Sequence, residues 1–118
     1  MVKKKFETKD SGKRYSEDSG FQRDTQEDKP RFNLLLPKGI PYSEQPLTRF
    51  AELMSRGADK YNDRNWEKAD SPEALERAKE SLLRHAMQLC CDEEDEDHFA
   101  GVMFNAMFIA TLKHKGGK

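Results

Sequence analysis

The residues most able to do chemistry lie in an unbroken acidic run, Asp92–Asp97, and in the segment that follows it. At 100° per residue, Glu94, Asp97, His98, Gly101 and Asn105 fall on one stripe of an otherwise apolar helical cylinder. Polar side chains so placed are costly unless bonded, so carboxylate, imidazole and amide together suit a metal ion or a phosphate. The competing reading is a solvated helix cap, with His98 and Asn105 as satisfied core groups. Asn105, deep in the apolar part, favours the functional reading. A second cluster is Lys60-Tyr61-Asn62-Asp63-Arg64-Asn65-Trp66. Its cations suit phosphate oxygens, its amides suit base edges and its aromatic faces suit stacking. Alternatively it is a turn whose Trp66 plugs the core. Glu52 sits at the edge of an apolar helix face, and Arg84-His85 lies beside Leu82 and Leu89, where a lone histidine reads first as a core residue. The chain has no Gly-rich phosphate loop, nucleophile elbow or zinc-ligand spacing.

Three helices are needed to position these groups. Pro30, Pro37, Pro41 and Pro46 divide residues 28–46 into extended pieces, and Arg31–Leu36 reads as a short strand or an extended segment on the helices. A first helix starts near Pro46, with Leu47, Phe50, Ala51, Met54, Ala58 and Tyr61 on one face. After a polar loop over Asn62–Asp70, Ser71-Pro72-Glu73 opens a second helix to about Cys91, with Leu75, Ala78, Leu82, Ala86 and Leu89 inward. The acidic run breaks that helix and opens a third, His98 to about Lys113, apolar nearly all round. Such a helix is central or an interface, which predicts near-complete burial of Met103, Ala106 and Ile109 and a homo-oligomer, dimer or tetramer.

Composition narrows the class. The 118 residues, 35% hydrophobic and 36% charged, suffice for one all-α domain with a modest core. Residues 1–18 hold too few large apolar groups to offset ordering and are expected to form a disordered charged arm before a domain over 19–118. A net charge of −1 shows no basic excess for duplex nucleic acid. Phe99–Leu112 is too short for a membrane span, and no apolar stretch of a secretory signal follows Met1–Lys5. Cys90 and Cys91, being adjacent, read as free thiols in a reducing cytoplasm.

In order along the chain, Arg23-Asp24-Thr25 with Lys29-Pro30-Arg31, then Arg56-Gly57-Ala58-Asp59-Lys60-Tyr61, Arg64-Asn65-Trp66-Glu67, Arg84-His85, Asp95-Glu96-Asp97-His98 and Phe104-Asn105 resemble the bacteriophage dATP/dGTP diphosphohydrolases. That is a MazG-like branch of the all-α nucleotide pyrophosphatases. The resemblance covers roughly residues 19–113, and its block from Gly57 to Trp66 is the most specific. It implies a helical domain that uses Mg2+ or Mn2+ to cut a deoxynucleoside triphosphate, a purine favoured, into monophosphate and pyrophosphate, in a host cytoplasm if phage-encoded. Where the superfamily generally carries a Glu-x-x-Glu pair, the first helix here offers Glu52-x-x-Ser55; Glu94-x-x-Asp97 has the spacing of the second, Glu-x-x-Asp pair.

Splitting a triphosphate requires neutralising the leaving pyrophosphate and activating water, which hard divalent ions on carboxylates do. On this reading Glu52, Asp95 and Asp97 are metal ligands, and His98 or His85 orients a ligand or water. Lys60, Arg64 and Arg84 clamp phosphates, with Asn65, Trp66 and Asn105 near base or sugar. Two alternatives stay open: a catalytically inactive module that sequesters a nucleotide, which the lone Glu52 favours, and a structural protein using the third helix for assembly.

Overall fold

A computed structural model describes residues 12–25 and 28–116. The described chain divides between Leu35 and Leu36 into two units. The first holds strands β1 (Arg14–Ser16) and β2 (Gln22–Asp24), paired antiparallel with Tyr15 opposite Arg23, and a 3-10 turn at Phe32–Leu35. The hairpin closes through Glu17 N–H to Phe21 O at 2.9 Å and Gly20 N–H to Glu17 O at 2.8 Å, with Gly20 at φ 96°. Asp24 is paired with Lys29 at 2.7 Å. Two sequence-based expectations change here. Residues 12–18 contribute a strand to an exposed hairpin; residues 1–11 of the expected arm lie outside the described residues. Phe32–Leu35 is a 3-10 turn rather than a strand, with Phe32 and Leu34 largely exposed.

The second unit is helical: α1 (Pro46–Tyr61), α2 (Pro72–Cys90) and α3 (His98–Gly116). Gln45 precedes α1, and its side-chain amide donates to Pro37 O at 2.9 Å and Ile40 O at 2.8 Å, tying down the proline-rich approach. Asn62, at φ 91°, ends α1, and a 3-10 turn follows at Asn65–Lys68. Ser71 Oγ accepts the Ala74 N–H at 3.1 Å and Pro72 takes the first turn, so α2 begins as its sequence dictates. It ends in a left-handed cap: Asp92 has φ 60°, and Glu93 N–H reaches back to Gln88 O at 3.0 Å. Lys115 in the last turn of α3 donates to Glu67 O, and to Ala69 O at 3.1 Å, fastening the loop between α1 and α2 to α3.

The third helix is central, as expected, packing on both α1 and α2. Its inward arc is not the expected one. Met103 and Ala106 are exposed and Ile109 half-buried, whereas His98, Ala100, Gly101, Asn105 and Leu112 are buried. A helix apolar all round leaves its inward arc unspecified; small residues decide it, since Gly101 on α3 and Ala78 on α2, 3% exposed, permit close approach of the helices. Trp66 packs edge-on against Phe104 and Phe108, at 6.0 Å to each ring, completing the core beside α3. Among the described residues no helix is long and apolar enough to cross a membrane.

Candidate functional site

The acidic run forms the loop between α2 and α3, and it gathers the groups that the sequence places apart. Antiparallel packing of α2 on α3 sets His85 against His98, Nδ1 to Nδ1 at 2.9 Å. The other nitrogen of His98, Nε2, lies 2.7 Å from Asp95 Oδ1. His98 is 2% exposed and His85 9%, while the Asp95 side chain is 63% exposed, so the chain of bonds runs from solvent inward. With Asp95 ionised, His98 donates through Nε2–H and must accept at Nδ1 when neutral; His85 then donates through Nδ1–H and keeps a lone pair on Nε2. The hydrogen bond from His98 holds the Asp95 carboxyl below its ordinary range. Desolvation pushes His85 below the usual histidine value, with a smaller lowering contribution from neighbouring Arg84 that opposes nearby Glu96.

Gly101 makes this arrangement possible. A Cβ at that position would stand 2.8 Å from Cγ, Cδ2 and Nδ1 of His85, inside any tolerated contact. Asn105, one turn on, donates from Nδ2 to Gly101 O at 2.8 Å and is 6% exposed. The stripe that the sequence marks on α3 therefore turns inward at His98, Gly101 and Asn105, with both His98 nitrogens and the Asn105 Nδ2 bonded.

Asp97 does something different from Asp95. Arg49 of α1 grips it with two bonds, Nε to Oδ2 at 2.8 Å and Nη2 to Oδ1 at 2.7 Å, and Ala100 N–H donates to Oδ1 at 3.0 Å. That is a bidentate ion pair combined with a helix cap. The Arg49 bonds hold Asp97 well ionised, with Arg56 adding to the effect. The Arg49 guanidinium also lies over the Phe99 ring, 5.2 Å from its centroid.

A crevice of about 540 Å³ opens at this corner, lined by Arg49, Glu93, Glu94, Glu96, Asp97 and His98 among others. Two groups of side chains there can bring three ligand atoms within 4.8 Å of one another: His85, Glu96 and His98, and Glu93, Asp95 and His98. A second crevice, about 420 Å³, lies further along α2 and α3 between Arg77, Ser81, Phe104, Asn105 and Phe108.

Of the candidates from sequence, His85, Asp95 and His98 come together in one bonded chain, with Asp97 at its edge. Glu52 is exposed on α1, one turn beyond Arg49, and belongs to neither carboxylate–imidazole group. Arg84 is exposed beside His85. Lys60 and Asn65 are exposed, the ammonium of Lys60 lying 5.1 Å from the Tyr61 ring centroid. Arg64, at φ 58°, is paired with Glu67 at 2.6 Å, and Trp66 is half-buried against Phe104 and Phe108. Asn105 lines the second crevice. Sequence reasoning passed over Arg49, Glu93, Glu96 and the purpose of Gly101. For Arg49 a signal existed: Arg49 and Arg56 are seven residues apart and share one edge of α1, facing an acidic run that needs cations.

Compared with known families, residues 19–118 match the family model described as dATP/dGTP diphosphohydrolase, N-terminal. No curated protein and no solved structure matches the chain.

Proposed function

The chain belongs to the dATP/dGTP diphosphohydrolase N-terminal family, and from that premise we propose that it is a metal-dependent pyrophosphohydrolase of deoxynucleoside triphosphates, releasing monophosphate and pyrophosphate. The observation that carries this reading is the bonded chain Asp95–His98–His85, whose His98 lines an acidic crevice. A divalent ion fits there by donor chemistry: carboxylates of Glu93, Asp95 and Glu96 stand beside two imidazoles, and three of these groups at a time can converge. Bound there, such an ion would neutralise phosphate charge and lower the pKa of a coordinated water.

The protein's own groups have separable tasks. Asp95 fixes the His98 ring and its tautomer through the 2.7 Å bond. Asp97 is reassigned from ligand to anchor, because both its oxygens are engaged by Arg49 and the start of α3. It holds the acidic loop against α1. Glu52 is likewise left out of the ligand set. Exposed Arg84, next to His85, and the cations Lys60 and Arg64 supply positive charge for phosphate oxygens. Asn105, in the second crevice with the Phe104 and Phe108 rings, is the group best placed for base or sugar.

The test is product analysis by chromatography after incubating the protein with dATP, dGTP, dCTP and dTTP and either Mn2+ or Mg2+. Appearance of a deoxynucleoside monophosphate together with pyrophosphate, abolished by chelation, is expected. Release of orthophosphate and diphosphate instead, or no product with any of the four, overturns the reading. Tight nucleotide binding without product would move the chain to the sequestering alternative.

A further inference from the structure

The histidine pair has a property that a carboxylate-only centre would lack. Two imidazoles, of residues 2% (His98) and 9% (His85) exposed, meet nitrogen to nitrogen at 2.9 Å, with a carboxylate behind one of them and Glu96 within reach of both. Two donors about 2.1 Å from one ion and at right angles to each other are about 3 Å apart, so the separation that accommodates a shared proton also accommodates a shared cation. The Asp95–His98 bond has the form of a carboxylate that orients a metal-bound imidazole from outside.

We propose that His85 and His98 are themselves metal ligands, completed by the Glu96 carboxylate, with Asp95 as the outer partner of His98 and Gly101 as the residue that makes room for the His85 ring. The inference rests on the preceding reading only in taking this cluster as the place where the ion binds. Its consequence is selectivity. Magnesium prefers an all-oxygen shell and keeps its waters, whereas imidazole nitrogen suits first-row transition ions. A site with two nitrogens therefore takes Mn2+ or a later ion of that row ahead of Mg2+. Gly101 is the sterically decisive position. An alanine methyl would stand 2.8 Å from Cγ, Cδ2 and Nδ1 of His85, base and body of the ring rather than a flexible tip, so the imidazole must shift.

The experiment is pulsed electron paramagnetic resonance of Mn2+ added to the full chain, with Mg2+ as competitor and no nucleotide present. Modulation from imidazole 14N is expected in the wild type, with Mn2+ bound about tenfold or more tighter than Mg2+. Gly101→Ala should lose the modulation of one imidazole and weaken Mn2+ by about 10–100-fold, the range seen when a ligand's supporting contact is removed. Should Gly101→Ala lose its helical circular dichroism, His85→Gln, which creates no overlap, carries the same expectation. Absence of nitrogen modulation in the wild type, equal affinity for the two ions, absence of Mn2+ binding, or unchanged spectra in folded Gly101→Ala or His85→Gln would each overturn the proposal. The two readings fail separately. Hydrolysis supported by Mg2+ with an all-oxygen Mn2+ spectrum keeps the activity and sinks the histidine site. Nitrogen coordination without hydrolysis does the reverse.

Discussion

Two aspartates two positions apart have opposite surroundings, and that difference decides what each can do. Asp97 has both oxygens committed, to Arg49 and to the Ala100 N–H, while Asp95 gives one oxygen to His98 and stays open to solvent. Replacing Asp97 by asparagine keeps a cap but removes the ion pair. With partners 40% and 24% exposed, solvent screening keeps the expected loss near 1–2 kcal/mol at neutral pH, measured by thermal denaturation. An unchanged melting temperature would contradict the anchoring role. Because Asp97 is held below its ordinary value of 3.8, its contribution is present above that pH and is lost as pH falls through the lower folded value. His85 behaves in the same direction for a different reason. Desolvation lowers it below 6.5, so the unfolded chain takes up the proton first, and stability falls as pH drops from 6.5 towards the folded value. His85→Gln should flatten that part of the stability-against-pH curve, and an undiminished slope would show that another group titrates there.

At the scale of elements, the three helices were legible because each has its own start signal: Pro46, Ser71-Pro72-Glu73 and the acidic run ahead of His98. The inward face of α2 was nearly so, except that Leu89 is 41% exposed. The face of α3 was legible only as the polar stripe of His98, Gly101 and Asn105, which turns inward; the apolar remainder carries no periodic contrast, and its orientation is set by pairing with α2. The pairing of His85 with His98 was hidden for the same reason. Each could be singled out, but 13 residues of separation across a helix turn-around give no register. Gly101 showed only as a gap in the stripe, although it is the reason the rings can meet. Two substitutions test this placement of α3. Ala106→Asp, on the exposed arc, should leave the helical circular dichroism and melting temperature of dilute protein intact, whereas Leu112→Ala, 6% exposed before truncation, should cost about 2–4 kcal/mol. The opposite ranking would mean that the other arc faces the core.

For the molecule as a whole, the candidate site belongs to no single element. The loop supplies its carboxylates, α2 and α3 each supply an imidazole, and α1 reaches across with Arg49 to hold the loop in place. Chemistry at such a corner depends on the three helices holding their mutual packing. Asp95 is the most informative place to intervene: its side chain is 63% exposed, so removing its charge disturbs little of the packing while leaving His98 only a neutral amide acceptor in place of a carboxylate. The decisive measurement is the single-turnover rate of monophosphate formation from dATP or dGTP with Mn2+, wild type against Asp95→Asn, both verified as folded. Turnover is expected in the wild type, with a loss of about 100-fold or more in the variant, the scale of removing an electrostatic contributor to a transition state. Equal rates in the two proteins would contradict this expectation.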